Sequence, residues 1–457
     1  MLVPSRTDYD ACRERIRRDY ALAPAGTPVR LRKRTSNLFR TRRRGATAAL
    51  DVSGLDRVLH VDPVARTADV GGMTTYEDLV DATLAHGLAP LVVPQLKTIT
   101  LGGAVTGLGI ESSSFRNGLP HESVLKLEVL TGDGRVVVAR PDNEHSALFH
   151  GFPNSYGTLG YALRLTIELE PVGRFVRLRH VPFGDRATLF AAMEEACERR
   201  SYAGEAVDFV DGTVFGPGEQ YLTLGDHRDD APPPSDYTGM RIYYRSLRER
   251  SVDFLTVSDY LWRWDTDWFW CSRAFGVQDP RVRRLVPKRW LRSDSYWRLV
   301  EIERRLGPVR RLYRATGRGD WEDVVQDVEV PIDRAPEFFD FMEAEVPILP
   351  FWLCPLRARD PGARWDLYAL DPGTTYVNFG FWSTVPRAAG RPDGEVNRRI
   401  EAEVTRLGGR KSLYSTSYYD PEEFWRLYNG PAYAELKDAY DGGHRLLDLY
   451  EKCVRRA

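Results

Sequence analysis

One stretch narrows the choice of fold more than any other: Thr100-Leu-Gly102-Gly103-Ala-Val-Thr-Gly107-Leu-Gly109-Ile110-Glu111-Ser112-Ser113-Ser114, with Gly118 shortly after. Glycines so closely spaced let backbone N–H groups approach a bound anion with no Cβ in the way, and the Thr and Ser hydroxyls add donors. The segment predicts a loop over 102–118 that cradles a pyrophosphate or a planar ring. It is not a Rossmann fingerprint, which needs a strand directly before it and a helix directly after; Pro94 and a polar stretch precede it here. A long structural loop with glycine turns is the competing reading.

Two further segments favour binding. Pro153-Asn-Ser-Tyr-Gly157-Thr158-Leu-Gly160-Tyr161 leads into a strand and brings backbone against a flat ring, although a turn before a strand looks the same. Lys33-Arg-Thr35-Ser36-Asn37-Leu38 follows a strand and supplies donors suited to diphosphate oxygens. It sits in a basic cluster of Arg30, Arg32, Lys33, Arg34, Arg40, Arg42, Arg43 and Arg44, which suits phosphates on a cofactor or a lipid headgroup, or simply a solvated loop.

The chain of 457 residues suits two or three domains, and its net charge of -1 gives no bulk attraction for nucleic acid. Five cysteines, scattered and without a CxxC pair, argue against a disulfide scaffold or a metal site and fit a reducing compartment. The N-terminus lacks a signal-peptide core, and no apolar run is long enough to span a bilayer, so a cytoplasmic protein with at most peripheral membrane contact is expected. Strands are expected at Val29–Arg34, Ala48–Val52, Val58–Val61, Val64–Val70 and Ala162–Leu169, and a hairpin at 125–139. A helix follows the Thr74-Thr75 cap and ends at Gly87. Residues 254–300 read as mostly helical, Val324–Met342 as strand then helix, Phe351–Leu353 and Tyr376–Phe381 as strands, and Pro421–Tyr428 as a helix capped by Asp420. The fold class is α+β.

The three donor-rich loops, in this order and spacing, resemble the FAD-binding domain of vanillyl-alcohol-oxidase-type (PCMH-type) flavoproteins. The segment TLGGAVTGLGIESSS is similar to the flavin loop of the delta-24 sterol reductases, called Diminuto-like, and the resemblance continues through NSYGTLG, VVQDVEVP, PFWLCP and DPEEFWRLYNG. It covers residues 30 to 455 and is looser in the middle. It implies a two-subdomain FAD-binding domain at 1–173, an α+β substrate (cap) domain at 174–405, and a segment at 406–457 packing back near the flavin. It implies FAD contacts from Lys33, Thr35, Ser36, Asn37, Thr100, Gly102, Gly103, Gly107, Gly109, Ile110, Glu111, Ser112, Ser113, Gly118, Gly157, Thr158 and Gly160. Many relatives attach flavin through a His or Cys in the loop that corresponds to Lys33–Leu38; neither residue occurs there, so dissociable FAD is expected. The sterol enzymes carry an N-terminal membrane anchor, and none is expected here. Bacterial relatives include reductases of mid-chain methylene fatty acyl groups.

Reducing an unactivated alkene takes a hydride, a general acid and an apolar pocket. Asp327 is the first candidate acid: its strand corresponds to one that carries an active-site carboxylate in related oxidases, and alternation puts Asp327 and Glu329 on one face. A sheet-edge charge pair is the bland alternative. Tyr414 falls where related oxidases carry a catalytic His, and Glu111 sits in the flavin loop. Trp262, Trp264, Trp268, Phe269 and Trp270 are expected to wall a lipid tunnel, sit at a bilayer interface, or pack the core; Trp352, Phe379, Phe381 and Trp382 are expected to face an apolar ligand. Cys354 reads as a small buried hydrophobe. The expected activity is FAD-dependent reduction of a lipid alkene, with NADPH or a partner protein as electron donor and a methyltransferase as a further partner. The alternatives are an alcohol or aldonolactone oxidase and a lipid-binding protein with structural flavin.

Overall fold

The computed structural model describes residues 6–24, 26–33, 35, 39–40, 47–307, 311, 320–387 and 390–456. Two antiparallel sheets organise the chain. In the first, strands Val58–Asp62, Thr67–Gly71, Gly160–Pro171, Val124–Thr131 and Val136–Ala139 lie side by side in that order, with Leu88–Pro90 added along Gly160–Pro171. Val29–Arg32 and Ala48–Asp51 form a separate parallel pair. The chain leaves the first sheet at Pro171 and enters the second at Phe175.

The second sheet has eight strands: Val252–Thr256, Phe175–Phe183, Glu219–Arg228, Phe209–Gly216, Phe351–Leu356, Tyr376–Arg387, Asp320–Pro331 and Arg410–Lys411, in that order. Strand alternation divides its two faces. Val324, Val328, Phe351, Leu353, Phe379 and Phe381 pack under helices Arg186–Arg199, Ala335–Glu345 and Glu395–Arg406. Trp352, Cys354 and Trp382 belong to the other face, which shares a core with the first sheet. Phe379 and Phe381 therefore do not face the ligand, as the sequence pattern suggested. Their register places them opposite Val328 and Gln326, on the helix side.

The last helices return to the first half of the molecule. Phe424 and Tyr433 join the core that holds Phe149 and Phe152, and the Lys437 ammonium donates to the Thr158 carbonyl at 2.8 Å. The cap expected at Asp420 forms: its carboxylate accepts from the Glu423 N–H at 2.9 Å. Thr75 caps helix Tyr76–Leu84 in the same way.

Three local expectations change. Residues 102–118 are not all loop: Leu101–Thr106 and Ser114–Asn117 are helical turns, the first capped by the Thr100 hydroxyl. The strand expected from Val64 begins at Thr67, because Val64–Arg66 form a turn in which Arg66 is left-handed (φ 53°). Residues 254–300 hold short helical turns more than long helices, since Pro280, Pro287 and left-handed Trp268 and Phe269 interrupt them; helix Ser293–Leu306 is the long element.

Candidate functional site

A cleft opens between the glycine segment and the second sheet. It holds about 1730 Å³ of empty space, its solvent-open mouth included. Thr100, Gly102, Gly103, Gly107, Gly109 and Ile110 line it, as do Gly157 and Gly160, Lys33 and Thr35, Asp327 from the second sheet, and Tyr414 from the turn that follows its last strand. Ser36 and Asn37 lie outside the described residues, as do Arg34, Leu38, Arg42, Arg43 and Arg44.

The glycines act differently from the simple anion cradle. The first-turn amides are already occupied: Leu101 N–H donates to Thr74 at 2.9 Å, Gly102 N–H to Gly72 at 3.0 Å and Gly103 N–H to the Thr100 hydroxyl at 3.2 Å. What the missing side chains permit is close backbone packing. A Cβ on Gly102 would lie 2.5 Å from the Gly72 carbonyl oxygen, and one on Gly109 would lie 2.9 Å from Pro94 and 3.1 Å from Pro120. The segment forms a thin, rigid floor to the cleft.

Glu111, Ser112, Ser113, Gly118 and Thr158 are not part of the lining; they brace the floor from behind. The Glu111 carboxylate accepts from Arg263 at 2.9 Å and from the Ser112 N–H and hydroxyl at 2.8 and 2.7 Å. Arg263 also pairs with Asp211 at 2.8 Å, and Asp211 accepts from the Trp352 indole at 3.3 Å. A fully buried guanidinium between two carboxylates thus ties the floor to the aromatic wall. Glu111, held in this ion pair away from the cleft, is not placed to donate a proton to a ligand. Ser113 donates to the Leu91 carbonyl, Thr158 to the Ser155 carbonyl, and left-handed Gly118 lies against the Glu122 carboxylate.

Asp327 is half-buried, with its carboxyl on the cleft. Burial pushes its pKa up to about 7, against the Asn378 amide at 3.2 Å and the Tyr414 hydroxyl, which favour the charged form. Tyr414 in turn accepts from the Trp382 indole at 3.0 Å, and burial raises its own pKa well above the usual value. Glu329, two residues on, is fully buried behind this group; burial pushes it up to about 8, and it accepts from Tyr368 and Ser412. The pair reading of Asp327 and Glu329 as a solvated sheet-edge feature does not describe these positions. Gly380 faces Asp327 across the strands: a Cβ there would lie 2.6 Å from the Asp327 carboxylate and 2.9 Å from Trp382.

Trp268, Phe269, Trp352 and Trp382 wall the cleft beside Asp327. The Phe269 ring centre is 4.3 Å from that of Trp382 and 5.6 Å from that of Trp352. Trp268 and Phe269 both have left-handed backbone, φ 45° and 59°, a conformation that costs about 1–3 kcal/mol per residue and persists where surrounding contacts enforce it. All five aromatics of 262–270 are buried, so they do not form a bilayer-facing belt. Cys354 is fully buried in the core.

Arg40 was legible only as one member of a basic cluster. The residue is 5% exposed, and its guanidinium lies over the Tyr156 ring at 4.6 Å and reaches the Cys453 thiol, which burial keeps neutral. Its Nη2 and the Tyr156 hydroxyl are buried without a hydrogen-bond partner among the described residues. A buried cation facing a cleft in this way calls for an anionic group to complete it. Lys452, near the C-terminus, joins the lining and donates to the Tyr156 carbonyl at 2.6 Å. Asn378, Gly380, Arg40 and Lys452 carry no local sequence signal, because each is brought to the site by strand register or by the returning C-terminal segment.

Residues 14–140 match the FAD binding domain family. The chain therefore carries an FAD-binding domain of the PCMH type and is an FAD-dependent oxidoreductase. Along most of its length it is similar to the Delta(24)-sterol reductase of Arabidopsis thaliana, 25% identical over 444 residues that cover 88% of this chain and 76% of the relative. The Delta(24)-sterol reductase of Rattus norvegicus is 26% identical over 425 residues, covering 89% and 76%. Over a shorter span, Cytokinin dehydrogenase 7 of Oryza sativa subsp. japonica is 34% identical over 198 residues, 43% of this chain and 34% of that one. FAD is the cofactor. The lining is compatible with it: the glycine floor carries no side chain that would block a flat ring, and Arg40, Lys33 and Lys452 bring positive charge to the same cleft. No His or Cys is among the described lining residues. No helix among the described residues is long and apolar enough to cross a membrane.

Proposed function

We propose that this protein reduces an isolated carbon–carbon double bond in a lipid, either a mid-chain methylene fatty acyl group or a sterol side-chain alkene, and holds FAD without a covalent link. The observation that carries the reading is the setting of Asp327: a carboxyl raised to about 7 by burial, on a wall otherwise built of Trp268, Phe269, Trp352 and Trp382. When bound, FAD supplies the hydride. Asp327 in its neutral form donates the proton to one alkene carbon, and the aromatic wall keeps water from competing. Tyr414, held by the Trp382 indole, orients the Asp327 carboxyl and offers it a route for reprotonation. Asn378 fixes the other side of the same carboxyl. An alcohol or aldonolactone oxidase would be expected to recognise hydroxyls with polar groups, and this wall presents rings.

The names of the sterol reductases support the reaction class, and the aromatic wall supports an apolar ligand. NADPH or a protein partner would supply the electrons. The test is product analysis: incubate the FAD-loaded protein and NADPH with methylene-branched acyl lipids and with side-chain-unsaturated sterols, and look for products heavier by two hydrogens. Conversion of neither class defeats the reading.

A further inference from the structure

The segment that follows the aromatic wall carries apolar side chains outward. Leu285 is 83% exposed and Trp290 56%, and Val282 is exposed with them. Between them stand Arg281, Arg284, Lys288 and Arg289, all exposed. From 281 to 306 the basic residues are Arg281, Arg283, Arg284, Lys288, Arg289, Arg292, Arg298, Arg304 and Arg305, against three acids, Asp294, Glu301 and Glu303. Single exposed hydrophobes are ordinary, but a run of them framed by positive charge marks an interaction surface. The segment is also firmly held. Arg283, buried, pairs with Asp267 through both nitrogens at 2.6 and 3.0 Å and donates to the Gly239 carbonyl at 2.6 Å, next to exposed Met240. Helix Ser293–Leu306 extends the surface: Leu299 and Ile302, one turn apart, face outward beside Arg298, while Tyr296 and Trp297 pack inward.

We propose that Pro280–Trp290 and the outer face of this helix dock on an anionic phospholipid bilayer, from which the lipid enters the cleft. The proposal rests on the lipid-reductase reading and deepens it. Alternating basic and apolar side chains, with an exposed Trp, match the charge and the interfacial layer of such a bilayer. A protein partner is the less favoured occupant, since basic residues outnumber acids nine to three over 281–306. The surface also leads to the cleft. Asp267, the anchor of Arg283, directly precedes Trp268 and Phe269, and Trp297 meets Phe39 at 4.8 Å and Trp268 at 6.1 Å.

The test is co-sedimentation of the FAD-loaded full chain with phosphatidylcholine vesicles, with and without phosphatidylglycerol. Binding is expected to the phosphatidylglycerol vesicles and to weaken with salt. Each basic residue at an anionic surface strengthens partition about fivefold, so Arg281→Glu with Arg284→Glu and Arg289→Glu should weaken it by about 100-fold or more. Leu285→Ser with Trp290→Ser should also weaken it. Both variants should keep their FAD and their turnover on detergent-dispersed lipid, and lose turnover on lipid embedded in vesicles. Failure of the unaltered chain to bind vesicles, or undiminished binding by both variants, overturns the proposal and points to a protein occupant. If vesicles bind as expected but no lipid is reduced, docking stands and the reductase reading falls.

Discussion

Replacing Asp327 with Asn removes one proton from the cleft and leaves the shape of the side chain. If Asp327 is the acid, the rate should be flat below about pH 7 and fall about tenfold per pH unit above it, and Asp327→Asn should lower turnover by about 10²–10⁴-fold with that limb gone. The same shift bears on stability. The folded-state pKa, about 7, lies above the ordinary value of 3.8. The charged form is thus disfavoured in the folded state, so folding loses stability as pH rises from about 4 to about 7 and stays reduced above that. A shift of this size corresponds to a ceiling of about 4 kcal/mol; because the carboxyl opens on a solvent-accessible cleft, about 1–2 kcal/mol is expected. Asp327→Asn should then be more stable than the unaltered chain by about that amount at about pH 8 and equal to it at about pH 4. Denaturant titrations at both pH values, with flavin absorbance as the check on cofactor content, give the comparison. An alkaline limb that persists in Asp327→Asn would assign the proton to another group and refute the reasoning.

Arg40→Met should weaken FAD binding by about 10–100-fold, the loss of a charge-assisted hydrogen bond, measured by flavin retention on dilution; unchanged affinity would mean that Arg40 does not meet the cofactor. Gly380→Ala puts a methyl 2.6 Å from the Asp327 carboxylate, and should cut turnover at least tenfold with FAD content unchanged. Arg263→Met leaves Glu111 and Asp211 buried without their cation and should destabilise folding by about 3–5 kcal/mol, read by thermal melting.

Much of the first half was legible because local chemistry specifies it. Thr75 caps the helix it precedes, the 125–139 hairpin forms, and the glycine segment lies on the cleft. What misled is instructive. Alternation correctly separated Asp327 from Val328, but it could not say which face of Tyr376–Arg387 met the ligand, and Phe379 and Phe381 proved to be helix-side. That choice depends on register between strands distant in sequence. Glu111 looked chemical because it sits among glycines; its partner Arg263, 152 residues away in the chain, makes it structural. Arg40 and Lys452 meet at the cleft only once the C-terminal segment folds back. The aromatic run at 262–270 showed its composition but not its left-handed turn at Trp268 and Phe269, after which the Phe269 ring meets Trp382.

The most direct experiment is anaerobic stopped-flow. The FAD-loaded protein is reduced, then mixed with a methylene-branched acyl lipid or a side-chain-unsaturated sterol, and flavin absorbance is followed. Return of the oxidised flavin spectrum, one flavin per alkene consumed, in the unaltered chain and at least a hundredfold slower in Asp327→Asn, is the expected result. Reduced flavin that stays reduced with every lipid, while ordinary reoxidation by oxygen remains intact, would contradict alkene reduction.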